Sequence, residues 1–172
     1  MLSPNMRDEL CGQITKELYS AFLYLSMSSF SQNLGLKGFA NWFFVQYQEE
    51  MEHAIRIYQY VLNQGEHVRF SAIDKPPVEF KSALDMVQKT LDHEKTVTKS
   101  IHRLVDLALK EKDHATHVFL GWYVTEQVEE EANPAEILGR LKVAGSEGSG
   151  LFIIDKELEA RVFTPSLPAK TV

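Results

Sequence analysis

The stretch Gln48-Glu49-Glu50-Met51-Glu52-His53 decides how this chain reads. Glu50 and His53 stand three residues apart, a spacing that puts a carboxylate and an imidazole on one face of a helix, one turn from each other. A hard oxygen donor beside a nitrogen donor suits iron, manganese or zinc. The motif alone is weak, because most such pairs lie on solvated surfaces. The register changes that reading. As a helix, the segment presents Phe39, Phe43, Gln46, Glu50, His53, Ile57 and Tyr60 on one side. The steps alternate between three and four, the pattern of a bundle seam. Glu50 and His53 therefore fall inside an apolar stripe, where a charge is costly unless it is paired or bound to metal.

The same pattern extends outward in both directions. Ser3-Pro4 is a helix start, with serine as the cap and proline at the first helical position. The first helix is expected to run to about Asn33, with the stripe Leu10, Ile14, Glu17, Ala21, Tyr24, Ser28. Gly35 and Gly38 are expected to form a short turn, and the second helix runs from about Lys37 to Gln64, stopped by Gly65. Glu66 to Lys81 carries Pro76-Pro77 and no helical period, which predicts a long crossover rather than a hairpin.

The third helix, about Ser82 to Glu111, has the stripe Leu84, Val87, Leu91, Glu94, Thr98, Ile101, Val105, Ala108. His93 and His102 lie off that stripe and are expected to be surface or packing residues. Asp113 caps a fourth helix, about His114 to Ala144, with the stripe Leu120, Tyr123, Gln127, Glu130, Pro134, Ile137, Leu141. Glu126 stands one turn before Glu130 on the same side, and Glu131 reads as solvated. Pro134, after Asn133, removes a backbone hydrogen bond, so a bend or a break is expected there. Ser146 to Gly150 is expected to be a flexible linker, Leu151 to Arg161 a short amphipathic helix, and the tail 164–172 loose.

Composition narrows the classes. The 172 residues suit one domain, with the bundle at about 4–144 and the short helix at about 151–161. A net charge of -6 argues against nucleic acid as the main partner. The single cysteine, Cys11, excludes a disulfide framework and any four-cysteine iron or zinc centre. No basic region followed by an apolar run opens the chain, and no stretch is apolar enough to cross a membrane, so the cytoplasm is the expected location.

Each of four helices thus places one or two polar residues mid-seam: Glu17; Glu50 and His53; Glu94; Gln127 and Glu130. In an antiparallel bundle these positions share one height and converge. No lysine or arginine stands on the stripes to answer the four acids. Burying them unpaired costs several kcal/mol per ion, on the order of a domain's whole stability. Two divalent cations resolve that cost, whereas a purely structural bundle does not.

With these motifs in view, the sequence resembles the ferritins, specifically the non-haem ferritins of bacteria and archaea, from Ser3 to about Glu159. The marks are Glu17-Leu18-Tyr19-Ser20, Gln48-Glu49-Glu50 through His53, Trp122-Tyr123-Val124-Thr125-Glu126-Gln127 through Glu130, and Asp155-Lys156-Glu157-Leu158. The resemblance implies an all-α, ferritin-like four-helix bundle with a long crossover between the second and third helices and a short fifth helix. It implies that Glu17, Glu50 and His53 form a first iron site, with Glu50 bridging to a second held by Glu94 and Glu130 and flanked by Gln127. It implies a third site of Glu49, Glu126 and Glu129 that shares Glu130, and a Tyr24 hydroxyl bonded to a ligand carboxylate. It further implies oxidation of Fe(II) by O2 or H2O2, mineral storage, and a shell of twenty-four copies with the fifth helix on the fourfold axis.

The pattern departs from two neighbouring families. Bacterioferritins repeat Glu-x-x-His on the fourth helix, where this chain has Gln127 and Glu130. Met51 falls at their haem-ligating methionine, yet reads here as interface filler, so no haem is expected. Rubrerythrins need four cysteines. The alternative in another class is a di-iron oxygenase or peroxidase bundle that stores nothing.

Overall fold

The structure is a computed structural model in which residues 1–166 are described. Five helices follow in order: α1 (Pro4–Asn33), α2 (Lys37–Asn63), α3 (Ala83–Glu111), α4 (His114–Ala144) and α5 (Gly148–Leu158). Among the described residues there is no strand. No described helix is long and apolar enough to cross a membrane.

Local chemistry sets the helix ends. The Ser3 hydroxyl accepts the Met6 amide hydrogen at 3.0 Å, Ser82 accepts that of Asp85 at 3.1 Å, and Asp113 accepts that of Thr116 at 3.0 Å. Lys112 takes the left-handed conformation, φ 58°, and closes α3. Short turns at 34–36 and 112–113 make α1–α2 and α3–α4 antiparallel pairs. Gln64 to Ser82 then runs as a crossover without regular structure, long enough to return along α2, whose 27 residues span about 40 Å.

The apolar core is split into two. Leu23, Met27, Phe39, Phe43, Met86 and Leu138 fill one half. Leu10, Ile14, Ile57, Ile101, Leu120 and Tyr123 fill the other. Between these two sets every long helix places buried acid, amide or imidazole side chains: Glu17 on α1, Gln46, Glu50 and His53 on α2, Glu94 on α3, Gln127 and Glu130 on α4. A polar layer thus crosses the middle of the bundle at one height.

The stripes expected for α1 and α4 are buried throughout, and that of α2 is buried except at Tyr60. On α3 the buried face is rotated. Thr90, Val97 and Leu104 are buried while Leu84, Leu91, Thr98 and Val105 are half-buried, because α3 packs against both α1 and α4 and needs a wider face than one seam.

Of the bend or break expected at Pro134, the break is absent: α4 runs unbroken through it, and the residue is buried. Four other expectations are corrected. The fifth helix begins at Gly148 and ends at Leu158, three residues earlier at each end than Leu151 to Arg161. Of the expected linker, Gly148 to Gly150 belong to α5, and Gly150 is packed: a Cβ there would lie 1.9 Å from the Ala144 carbonyl oxygen. The helix stops because the Asn41 side-chain amide donates to the carbonyls of Leu158, Glu159 and Arg161 at 3.1, 3.4 and 2.9 Å.

Gly38 is the third correction. It lies inside α2, not in the turn, and its Cβ would meet the Asp155 carbonyl oxygen at 1.6 Å. The fourth concerns the tail. Ser166 is anchored, donating its amide hydrogen to Glu52 at 3.1 Å and accepting from Arg56 at 2.9 Å. The remainder of the expected loose tail, 167–172, lies outside the described residues.

Candidate metal centre

The polar layer gathers the acids that the sequence placed in the seams. Glu17, Glu50 and His53 bring ligand atoms within 4.8 Å of one another, and so do Glu50, Glu94 and Glu130. Glu50 belongs to both groups, so the two triads share one carboxylate. All five side chains are buried, the most exposed being His53 and Glu130 at 4 %.

Neutral donors hold these acids. Gln13 donates to Glu17 at 2.9 Å, Gln46 to Glu130 at 2.7 Å and Gln127 to Glu94 at 3.2 Å. The Tyr24 hydroxyl donates to Glu94. The described residues form no ion pair from lysine or arginine to Glu17, Glu50, Glu94 or Glu130. Lys16 approaches only indirectly: its ammonium donates to Ser100 at 2.6 Å, Ser100 donates to Gln13 at 2.6 Å, and Gln13 reaches Glu17.

Among the described residues Glu50 Oε2 is buried without a hydrogen-bond partner, and His53 Nδ1 lies 3.4 Å from it. A buried carboxylate oxygen left without a hydrogen bond, on the one residue common to two acid triads, is what a bound cation would use. The donor set, four carboxylates and one imidazole, suits a hard divalent metal.

Electrostatics agrees. Burial raises Glu50 well above the ordinary carboxylate range, and the neighbouring charges of Glu94 and Glu17 push it further. Burial followed by the Glu130 charge raises Glu94 well above that range. Glu17 is raised by burial, and His53 and the Gln13 amide oppose the rise. The Tyr24 phenol is held well above its ordinary value by burial and then by the Glu94 and Glu50 charges, so it stays a donor.

His53 is the hinge between the centre and the α4 acid run. Its ring is enclosed edge-on by Trp122 and Tyr123, at centroid distances of 5.3 and 6.1 Å, and the Tyr123 hydroxyl donates to its backbone carbonyl at 2.8 Å. Nδ1 faces Glu50, while Nε2 lies 4.0 Å from Glu126. A third group of ligand atoms within 4.8 Å is therefore His53, Glu126 and Glu130.

The other acids expected at a third position are placed differently. Glu129 is exposed, and Glu49 is bound by the Arg161 guanidinium at 2.7 Å. Burial raises Glu49 to about 7; Arg161 opposes that rise, while the Glu130 and Glu126 charges add to it. Glu131, expected to be solvated, accepts the Thr98 hydroxyl at 2.6 Å. Met51 is half-buried on α2.

His93 is a packing residue, as its register indicated. It hydrogen-bonds Ser20 at 2.7 Å, meets Tyr24 edge-on at 6.1 Å, and burial depresses it to about 4. The reading by stripes missed the roles of Gln13, Gln46 and Ser100. Gln46 was visible in its seam; Gln13, one turn before Glu17, was visible only as spacing.

Known proteins point the same way. A family model described as "Ferritin-like domain" matches residues 7–144. A bacterial non-heme ferritin of Staphylococcus saprophyticus is 40% identical over 166 residues, covering 96% of this chain and 99% of that one. One of Campylobacter jejuni is 41% identical over 159 residues, covering 92% and 95%. Among solved structures, an Archaeoglobus fulgidus ferritin engineered into a closed form superposes with a TM-score of 0.93 at 46% identity, covering 95% of this chain and all of that one. The open-pore ferritin of the same organism gives 0.92, at 46% identity and 94% coverage of this chain. With this match along nearly the whole chain, and with the acid layer in the bundle middle, the protein belongs to the ferritin family.

Proposed function

We propose that this protein stores iron. In this reading it oxidises Fe(II) with O2 or H2O2 inside each subunit and keeps the ferric product as a hydrated oxide mineral within a shell of twenty-four copies. The observation that carries the reading is the pair of buried acid triads sharing Glu50, with no lysine or arginine among the described residues paired to them.

Iron is the substrate here. Glu17, Glu50 and His53 would hold one Fe(II), and Glu50, Glu94 and Glu130 the other. Held beside each other, the two ions each supply one electron to the same oxidant. O2 that takes both electrons and two protons leaves as H2O2, and superoxide is not released. Carboxylate oxygens favour Fe(III) over Fe(II), which helps drive the oxidation. Gln127 and Tyr24 fix the Glu94 carboxylate, and Gln13 and Gln46 fix Glu17 and Glu130, so the ligands need little reorganisation.

Glu126, with His53 and Glu130, offers a weaker third position from which iron could move on; Glu49 and Glu129 flank it. No haem is part of this reading. The α5 helix would line a fourfold axis of the shell, and the working compartment would be the cytoplasm.

The test is aerobic addition of Fe(II) to the purified protein, with ferric absorbance and particle mass followed together. Rapid colour in a particle of several hundred kilodaltons supports storage. Colour in a small particle would favour an oxygenase or peroxidase bundle, and no colour beyond the buffer rate would leave a structural bundle.

A further inference from the structure

Glu49 precedes Glu50 by one residue, so the helix turns its carboxylate away from the buried centre toward the neighbouring face of α2. That face is crossed by the chain leaving α5. Asn41 takes the carbonyls of Leu158, Glu159 and Arg161, which bends the backbone back along α2. The Arg161 guanidinium then lies 5.0 Å over the Trp42 ring, donates to the Trp42 carbonyl at 3.4 Å, and meets Glu49 Oε2 at 2.7 Å. Farther along, Ser166 is tied to Glu52 and to Arg56, whose own guanidinium stacks on Trp122 at 3.9 Å. The strap is fixed on both sides of the Arg161–Glu49 pair.

We propose that Arg161 is the residue that sets how many metal ions each subunit holds tightly: it occupies Glu49 as a built-in counter-cation and keeps that acid from turning the weak third position at Glu126 and Glu130 into a tight one. The inference rests on the reading of the buried triads as a metal centre.

The physical ground is exclusivity. A guanidinium at 2.7 Å forms a short, charge-assisted contact that uses the Glu49 oxygen. A divalent ion on the same oxygen would stand beside a fixed positive charge, and the two repel. The stacking on Trp42 and the carbonyl contact hold the planar fork in place, which a lysine ammonium matches only in charge. Metal at Glu49 therefore requires the strap to lift. The third group of ligand atoms, His53, Glu126 and Glu130, does not include Glu49.

The test is a count. Anaerobic titration of Zn(II) into the assembled, metal-free protein, read by calorimetry and by equilibrium dialysis, should give two tight ions per chain. Arg161→Gln should give three, Arg161→Lys two, and Arg161→Gln combined with Glu49→Gln two again. Crystals of Arg161→Gln soaked in Zn(II) should show anomalous density against Glu49. If Arg161→Gln does not assemble, Arg161→Met, which keeps an apolar contact with Trp42, serves for the same count.

Two ions in both the wild type and the Arg161 variants would overturn the proposal and leave the buried centre standing. Three tight ions in the wild type would overturn it as well. No tight ion in any protein would instead sink the metal centre on which it rests.

Discussion

Asp155 of α5 accepts the backbone amide hydrogen of Phe39 at 2.9 Å, capping α2 from a different helix. The N-cap residue of α2, Leu36, has no side-chain oxygen to do this work. Gly38 permits the approach, since any Cβ there would strike the Asp155 carbonyl. A cap supplied from across the fold makes α5 part of the bundle rather than an appendage.

Asp155→Ala should therefore cost about 1 kcal/mol of stability, as a lost cap does. Gly38→Ala should cost more and detach α5 from α2, because backbone must move against backbone. Urea midpoints report the first, and particle mass by light scattering reports the second. A Gly38→Ala protein with wild-type midpoint and mass would show that α5 is not held this way.

Glu50 is expected to trade stability for binding. Replacing its half-satisfied buried carboxyl with the similarly sized Met should raise metal-free stability by about 1–3 kcal/mol. The same change should erase the gain that metal gives the wild type, about 2.7 kcal/mol at a hundredfold excess over Kd. Thermal melts with and without Zn(II) check both halves. A Glu50→Met protein that metal still stabilises would contradict the shared-ligand assignment.

Protons should compete with metal. Glu50 and Glu94 are raised well above 4.5, so the metal-free folded chain keeps protons that the unfolded chain has released. Where the folded state holds the extra protons, its stability falls as pH rises. Glu49 adds a step between 4.5 and about 7. Metal-free stability should therefore decline from mildly acidic to neutral pH, and metal affinity should climb over the same range. Calorimetry in buffers of differing ionisation enthalpy should register protons released per Zn(II) bound. Zero release would refute the linkage.

The neutral donors should act on one half of the centre each. Tyr24→Phe leaves Glu94 with Gln127 as its side-chain donor, and Gln13→Leu removes the amide from Glu17. Each should weaken one of the two binding steps by about tenfold to a hundredfold, Tyr24→Phe that of the Glu94 position and Gln13→Leu that of the Glu17 position. Two-step Zn(II) isotherms separate the steps. Equal weakening of both steps by either variant would mean that the donors stiffen the bundle as a whole.

How much of this was legible before any coordinates follows from periodicity. The alternating three-and-four spacing placed Glu17, Glu50, His53, Glu94, Gln127 and Glu130 in apolar seams, and all six are buried. Seam position is a local property of a helix, so the sequence carries it directly. The helix starts at Ser3, Ser82 and Asp113 were legible for the same reason, because a cap bonds only two or three residues ahead. The unanswered negative charge was a matter of counting stripes.

Contacts between distant segments had no such trace. Asn41 decides where α5 ends, Asp155 decides why position 38 must be glycine, and Arg161 decides what Glu49 can bind. Each of these partners stands more than a hundred residues away in the chain. A local rule left a bend or a break open at Pro134; the tertiary structure keeps α4 one helix through it, with Ile137, Leu138 and Leu141 packed into one half of the core. The sequence by itself determined the bundle and its acid layer, because helical repeat and charge are written residue by residue. Only the tertiary structure decided which donor meets which carboxylate, because those pairings exist only once separate helices are laid side by side.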